Sequence, residues 1–308
     1  MAATTEIIWT DATWNVITGC SVTSPGCKRC YAMRLAGTRL QHHPSRAGLT
    51  IMSAAGPVWT GDVRFNEQWL DQPLQWMRPR MIFVCAHSDL FHEAVPDEWI
   101  DRVFDVMARA TRHTFQVLTK RSARMRSYMA TRTARGLPLL PHVWLGVSAE
   151  DQRHADLRIP DLLATDASIR WVSLEPLLST ICLTELQPPG AERTWVDSLH
   201  GNAVAMAGVG PSWKVPALSW VVTGGESGPG ARPANPQWFR DIRDQCAIAG
   251  TPLLHKQNGS WISVSEVAGP GEHHTFDDGR TVRRVGKALA GRTLDGVVHN
   301  EFPEMRHA

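Results

Sequence analysis

The sequence predicts an α/β protein built as a complete or partial (β/α) TIM-like barrel with parallel strands. Short, continuously apolar runs alternate with helical stretches along the 308-residue chain, which is typical of a parallel sheet covered on both faces. About seven such runs can be counted, which is enough for a barrel, and a chain of this length can bury the core of one. A polar cluster follows nearly every run, and ligands of barrels bind at the carboxyl ends of strands. A doubly wound open sheet is the alternative, and its ligands bind at the same ends.

The predicted elements follow one another in chain order. The first strand-like run lies just before Cys20, and a helix is expected from Tyr31 to about Leu40, ahead of the break at Pro44. A short extended or hairpin insertion is expected at 56–65, and a helical stretch at 67–77. The remaining strands are predicted at 81–86, 114–118, 143–147, 169–172, 219–222 and 252–254, with helices at 96–110, 121–129, 155–163 and 236–249.

Two segments fit no strand–helix unit. Residues 186–217 are rich in Gly, Pro and Ala and are expected to form a long loop, either a lid or a disordered insertion. Residues 262–308 contain one strand-like piece and are expected to pack on the barrel as a C-terminal extension. The predicted organisation is therefore a single barrel domain over 1–261, with an insertion at about 186–217, followed by that extension.

Charge and hydropathy exclude some classes of function. The net charge is +2, from 32 basic and 30 acidic residues, so no overall preference for a polyanion is indicated. No stretch approaches the ~20 apolar residues of a membrane span, and residues 1–6 lack the features of a signal peptide. We therefore expect a cytoplasmic protein without a membrane partner, in which the cysteines are reduced.

Three of the six cysteines lie on one short loop. Cys20, Cys27 and Cys30 are spaced C-x6-C-x2-C, with Gly and Pro residues that allow the loop to wrap around a ligand. Thiolates prefer soft metals and iron–sulfur clusters, and three of them would leave one iron of a 4Fe–4S cluster open. A zinc site would need a fourth ligand, for which His42 or His43 is available. Free thiols or a disulfide are the remaining alternatives.

Eight stretches, distributed over most of the chain, carry a resemblance to a known family. They are TGCSVTSPGCKRCYA, FVCAHSDLFHEAVPDEW, FQVLTKR, VWLGVSAEDQ, RWVSLEPLL, WVVTGGESGPGARP, LLHKQNG and VGKALAGRTLDG. In these stretches the chain resembles the phage-associated three-Cys-motif family of unknown function. It is also similar to radical S-adenosylmethionine (radical-SAM) enzymes, in particular to spore-photoproduct-lyase-like members. Those have an Asp-containing turn after the second barrel strand and a Thr-Lys pair after the third, like Asp89 and Lys120 here.

The chain departs from the radical-SAM pattern in two places. The common spacing is C-x3-C-x2-C with an aromatic residue before the last cysteine, whereas here the first gap is six residues and Arg29 occupies that position. The Gly-Gly-Glu motif that helps to hold SAM normally follows the second strand. Here Gly224, Gly225 and Glu226 follow about the sixth predicted strand.

The resemblance implies an enzyme, of lyase or transferase type, that splits SAM with a 4Fe–4S cluster held by Cys20, Cys27 and Cys30. It implies a nucleic acid or a nucleotide as substrate, for modification or repair, and a separate three-Cys-motif protein as partner. The catalytic roles fall to Asp89, Lys120 and Glu226. The expected cofactor-binding residues are Tyr31, Ser88, Lys120, Ser148, Glu150, Gly224, Gly225 and Glu226, and the expected substrate contacts are His92, Glu175, His255 and Lys256.

Each of these residues also has a purely structural interpretation. Ser148 and Glu150 could cap a helix, Asp89 could close an Asx-turn, and the glycines could serve a tight turn. Lys120, Glu175, His255 and Lys256 could belong to structural ion pairs. Two further groups are also interpreted structurally. Inert core thiols are expected at Cys85, Cys182 and Cys246. A solvated helix face, with phosphate contact as the alternative, is expected at Arg121, Arg124 and Arg126.

Two other functions compete with the radical-SAM hypothesis. The first is a non-catalytic protein, stabilised by an iron–sulfur or zinc site, that acts with a three-Cys-motif partner. The second is a divalent-metal nuclease or hydrolase whose carboxylates would be Asp89, Glu150, Glu175 and Glu226.

Overall fold

A computed structural model describes residues 5–191, 193–205 and 210–304 of the chain. Seven strands form one parallel sheet, which confirms the α/β class and is consistent with a partial (β/α) barrel. The chain divides into two compact units, Met1–Val147 with Thr165–Ser168, and Ser148–Ala164 with Ile169–Ala308. None of the helices in the described part of the chain has the length and apolarity that a membrane crossing requires.

The first unit contains the first four strands of the parallel sheet, in the order β1-β6-β7-β8, and the helices between them. Its strands are β1 (Ala12–Trp14), β2 (Ile17–Thr18), β3 (Thr50–Ser53), β4 (Gly56–Trp59), β5 (Arg64–Phe65), β6 (Met81–Val84), β7 (Thr114–Thr119) and β8 (Val143–Ser148), the last residue of which already belongs to the second unit. Its helices are α1 (Tyr31–Gly37), α2 (Gln72–Gln75), α3 (Asp97–Arg109) and α4 (Ser122–Ala134), with 3-10 turns at Pro25–Cys27 and Glu67–Trp69.

The register of these strands brings apolar side chains together in layers. Ile82 of β6 lies opposite Ala12 of β1 and Phe115 of β7, and Phe115 in turn lies opposite Val143 of β8. All four are buried. Because parallel neighbours end at the same edge, the residues that follow β1, β6 and β7 are brought together there. These are the cysteine loop, Ser88 with Asp89, and Lys120 with Arg121, as the sequence predicts.

A small antiparallel pair and one glycine start the cysteine loop. β2 pairs with β5, and Gly19 follows with a φ of +93°. A Cβ on Gly19 would lie 2.2 Å from the Asp62 carbonyl oxygen, so both the backbone conformation and the close approach require glycine here. The segment 56–65, predicted as extended or a hairpin, contains β4 and β5, of which β4 forms a hairpin with the preceding β3 and β5 pairs with β2.

The second unit contains the other three strands of the parallel sheet, in the order β9-β13-β14. Its strands are β9 (Ile169–Leu174), β10 (Thr194–Asp197), β11 (Asn202–Ala205), β12 (Ser212–Lys214), β13 (Trp220–Gly224), β14 (Leu253–Gln257), β15 (Trp261–Ser263), β16 (His273–Thr275) and β17 (Thr281–Arg284). Its helices are α5 (Gln152–Leu163), α6 (Pro236–Ala249) and α7 (Lys287–Ala290).

The segment predicted as a long loop or disordered insertion contains regular structure. Within 186–217, β10, β11 and β12 form an antiparallel sheet, and Leu186 bridges to Val196 at the start of it. Residues 192 and 206–209 of this segment lie outside the described residues. The C-terminal segment likewise contains a three-stranded sheet, in the order β15-β17-β16, where a single strand was predicted. Residues 305–308 lie outside the described part.

Candidate functional site

The three cysteines of the loop are unbonded thiols, and their pKa values depend on burial and on neighbouring groups. Cys20, Cys27 and Cys30 are all half-buried and free. Burial, more than any neighbouring charge, raises the pKa of the Cys20 thiol to about 12, and the nearby Asp89, Cys30 and Cys27 raise it further. Burial also raises the pKa of Cys30, although backbone N–H groups of α1 oppose that shift. A cation that replaces the thiol protons, such as a metal, would relieve these costs.

Hydrogen-bond donors and cations surround the three sulfur atoms. Arg121 donates from Nη1 to the Cys20 Sγ at 3.5 Å. Burial alone would raise the pKa of Cys27, but the Lys120 ammonium and hydrogen bonds from Thr23 outweigh it, so that this pKa is lowered. Donors and cations of this kind stabilise thiolates and tune the metals that thiolates hold.

The placement of the sulfur atoms can be compared with the geometry of a zinc site. Zinc holds its ligands at ~2.3 Å in a tetrahedron, which places two sulfurs about 3.8 Å apart. Among the described residues, the sulfurs of Cys20, Cys27 and Cys30 do not all lie within 4.8 Å of one another, and no histidine completes such a group. His43 instead bonds the Ser45 hydroxyl through Nδ1, at 2.7 Å. The described residues therefore do not present these three sulfurs as ligands of one tetrahedral zinc ion.

Asp89 organises the ends of β6 and β7. Its Oδ1 accepts hydrogen bonds from the Phe91 N–H at 3.0 Å and the Thr119 hydroxyl at 2.6 Å. Its Oδ2 accepts from the Lys120 N–H at 3.0 Å and from Arg121 at 3.1 Å. Both oxygens of this buried carboxylate are therefore occupied. Asp89 closes an Asx-turn and holds Arg121 in place, and it does not face a substrate directly.

Arg121 is the residue that the sequence prediction misplaced. It was predicted on a solvated helix face, but only 7% of it is exposed. Its guanidinium pairs with Asp89 and with Glu93, each at 3.1 Å, and also reaches Cys20. Burial opposes the charge, but the Asp89 carboxylate, the Cys20 sulfur and the Glu93 carboxylate keep the pKa of Arg121 raised. Arg124 is also not a solvated residue, since it donates to the carbonyls of His92 and Val95.

Three of the predicted ligand contacts hold the cysteine loop instead. The Ser88 hydroxyl donates to the Gly19 carbonyl at 2.5 Å. His92 bonds the Ser21 hydroxyl through Nε2 at 2.8 Å, and burial lowers the pKa of this imidazole. The Tyr31 hydroxyl donates to the Ala86 carbonyl at 2.5 Å. These contacts attach both ends of the loop to the end of β6, so these residues position the cysteines.

In the second unit, Glu150 is fully buried and already paired. Its Oε2 accepts from Arg158 at 3.0 Å, and Arg158 also donates to the Ser148 carbonyl at 2.8 Å. Asp151 is the N-cap of α5 and accepts from the His154 N–H at 2.9 Å. Glu150, Asp151 and His154 are the group of described residues with ligand atoms close enough for one metal ion. Arg158 competes with any cation there, so the ion pair and the cap explain this group without a metal.

The Gly-Gly-Glu segment after β13 is explained by packing. A Cβ on Gly224 would lie 2.3 Å from Oε1 of Glu175, and one on Gly225 would lie 2.1 Å from the Asn258 carbonyl oxygen. Glu226 forms a two-pronged pair with Arg232, at 2.9 and 2.6 Å. This carboxylate is saturated by its own arginine, which does not fit the expected catalytic or cofactor-binding role.

The remaining predicted substrate contacts divide into an ion pair and a core residue. Lys256 pairs with Glu175 at 3.1 Å, and both side chains are partly exposed. His255 is 0% exposed, and its two ring nitrogens bond Thr223 at 2.9 Å and Asn258 at 3.0 Å. Burial lowers its pKa to about 4. The polar atoms of His255 are therefore buried and already bonded within the core, and its contact with a substrate stays a prediction.

The cysteines outside the loop are mostly core residues, as predicted. Burial raises the pKa of Cys85 and of Cys246 to about 12, so both remain protonated and unreactive. Cys182 is half-buried and lies beside the Thr184 hydroxyl at 3.4 Å.

One comparison with known proteins gives a match. Residues 4–303 match the family described as "Protein of unknown function (DUF5131)". No curated protein and no solved structure matches the chain.

Proposed function

The chain belongs to the DUF5131 family, and we propose that it is an iron–sulfur enzyme of the radical-SAM type. Cys20, Cys27 and Cys30 would hold a 4Fe–4S cluster and leave one iron open. When bound, such a cluster supplies the electron that splits SAM and produces a 5′-deoxyadenosyl radical. A nucleic acid or a nucleotide is the substrate class that we propose, with a three-Cys-motif protein as partner.

One observation carries this proposal. Three unbonded cysteines lie on a loop attached to the carboxyl ends of neighbouring parallel strands, with a buried arginine and a lysine beside their sulfurs. That donor set supports an iron–sulfur cluster, because its three thiols are unbonded and its neighbours Arg121 and Lys120 are cationic.

The protein groups around the cysteines have distinct tasks. Arg121 donates to Cys20 and stabilises its thiolate, while Asp89 fixes Arg121 in turn. Ser88 and His92 hold the loop against the end of β6. The Lys120 ammonium makes no hydrogen bond or ion pair with any described residue, yet it lies near Cys27 and Cys30. It is therefore available for an anionic group of a ligand, such as the SAM carboxylate.

The competing functions predict different metals. A non-catalytic protein stabilised by an iron–sulfur or zinc site would bind metal but leave SAM intact, and in its zinc form it would need four ligands in a tetrahedron, which the described residues do not form. A divalent-metal hydrolase would have to use Glu150, Asp151 and His154, where Arg158 already neutralises the buried carboxylate. Asp89 and Glu226 are likewise saturated by arginines. Neither alternative is favoured by a specific contact.

Metal analysis and SAM cleavage test the proposal. Protein purified or reconstituted anaerobically with iron and sulfide should contain about four irons per chain. With a reductant and SAM it should release 5′-deoxyadenosine. Without the reductant, no release is expected. Protein that retains zinc, takes up no iron under these conditions and leaves SAM intact would refute the proposal.

A further inference from the structure

A second site in the first unit contains none of the cysteines. It is a cavity of about 480 Å³ beside the ends of β1 and β6, within the ~300–1,000 Å³ range of small-molecule sites. Trp69, Tyr31 and Leu40 supply apolar and aromatic surface to its lining, while Arg46 and His87 supply polar groups. A planar organic molecule of moderate size fits such a cavity.

Arg46 is a buried cation without a counter-charge. Only 3% of it is exposed, and no acidic side chain of the described residues pairs with it. Its Nη1 donates to the Ser45 hydroxyl at 2.6 Å and its Nη2 to Nδ1 of His87 at 2.8 Å, both neutral acceptors. Its Nε is buried as well and has no acceptor among the described residues. Burial, and then the Arg64 charge, lower the pKa of Arg46 to about 10.

A second guanidinium strengthens the positive potential. Arg64 lies outside the cavity lining and acts on Arg46 electrostatically, and it donates to the carbonyls of Pro44 at 2.6 Å and Ala47 at 2.9 Å. The acidic residue in the cavity lining, Glu6, is exposed and makes no ion pair with Arg46. Burying a cation without an anion is costly. A ligand that brought two negative charges would remove that cost.

His87 adds a donor of defined orientation. Because its Nδ1 accepts from Arg46, the neutral ring carries its proton on Nε2. The ring stays neutral because burial, and then the Arg46 charge, lower its pKa to about 4. The Nε2–H group is a neutral donor, as is the Thr13 hydroxyl of the same lining, which accepts from the Asn15 amide at 3.4 Å. Phosphate oxygens accept from such a set of donors.

We propose that this cavity binds a nucleoside monophosphate, with Arg46 as the counter-charge of the phosphate and Trp69 and Tyr31 against the base. Arg46 has no acidic partner among the described residues, and Arg64, outside the lining, adds to the positive potential, which favours the dianionic phosphate over a singly charged carboxylate. The aromatic lining favours a base over an aliphatic body. The site adds a nucleotide pocket to the proposed function but does not depend on the cluster, since no cysteine lines it.

Binding titrations test this site without SAM or reductant, so that they are independent of the cluster. Calorimetric titration of the protein with AMP should show saturable binding, with adenosine, inorganic phosphate and indole-3-carboxylate each at least about tenfold weaker. Arg46→Gln should weaken AMP binding by about tenfold or more. Arg39→Gln, which removes the same charge from an exposed position outside the lining, should bind AMP as the wild type does.

Three results would overturn the proposal. They are no AMP binding by the wild type, an Arg46→Gln variant with unchanged affinity, and preference for the carboxylate. If Arg46→Gln does not fold, Thr13→Phe decides the matter, because it fills the cavity and leaves Arg46 in place. That variant should lose AMP binding, and unchanged affinity there would equally contradict the assignment.

Discussion

The charged groups of the two units differ in how far they are satisfied. In the second unit each predicted carboxylate already has its own cation: Glu150 has Arg158, Glu175 has Lys256 and Glu226 has Arg232. In the first unit, by contrast, the Lys120 ammonium and the Arg46 guanidinium have no carboxylate partner among the described residues, and three free thiols lie on one loop. Saturated pairs support the fold, whereas uncompensated groups are those on which a ligand can act.

The largest expected effect tests the unsaturated thiols. Cys30→Ala should abolish iron binding and 5′-deoxyadenosine release, since two thiolates do not retain the cluster. The matched control is Cys182→Ala, which removes a half-buried thiol of the second unit. Iron and sulfide content per chain is the measurement. If Cys182→Ala lost the iron and Cys30→Ala kept it, the assignment of the cluster to this loop would be wrong.

The next largest expected effect concerns the stability that a buried, saturated ion pair contributes. Arg158→Met leaves the Glu150 carboxylate buried without its cation, and should lower the free energy of unfolding by about 3–5 kcal/mol. Arg135→Met breaks the exposed pair with Asp101, and should cost no more than about 1 kcal/mol. Urea denaturation of both variants measures the difference. Equal losses would show that the buried pair has no special structural role.

The smallest effect is a pH dependence in the second unit. Burial lowers the pKa of His255 to about 4, below the value of ~6.5 in an unfolded chain. The unfolded state therefore binds more protons, so the stabilisation is complete above pH ~6.5 and is lost as the pH falls towards 4. The loss at pH 4 is on the order of 3 kcal/mol.

The variant His255→Asn isolates this contribution. It should unfold with a flatter dependence of the free energy of unfolding on pH between about 6.5 and 4. Denaturation series at several pH values provide the measurement. An unchanged slope would assign the acid sensitivity to other groups and would contradict the neutral core histidine.

The sequence predicted the elements whose signals are local. The strand predicted at 81–86 is Met81–Val84, and the helices predicted at 96–110 and 236–249 are Asp97–Arg109 and Pro236–Ala249. Each combines a continuous apolar run or a helical period with a boundary residue such as Pro96 or Gly250. The strands within 186–217 were not predicted, because this Gly- and Pro-rich segment has only a weak strand pattern. Its strands are identified by their pairing with one another in the structure.

The residues of the candidate site likewise include some that local sequence predicts and some that it does not. The placement of Cys20, Cys27 and Cys30 on one loop follows from their spacing within eleven residues and could be predicted. The burial of Arg121 could not, since its partner Asp89 is 32 residues away in the chain. The same holds for Arg46 and His87, which are 41 residues apart.

The sequence by itself determined the alternation of strands and helices and the loop that gathers the thiols, because periodicity and spacing act between near neighbours. Only the tertiary structure decided which charges are neutralised and which are left for a ligand. That outcome depends on distances between residues far apart in the chain and on their removal from water, and no local pattern encodes either.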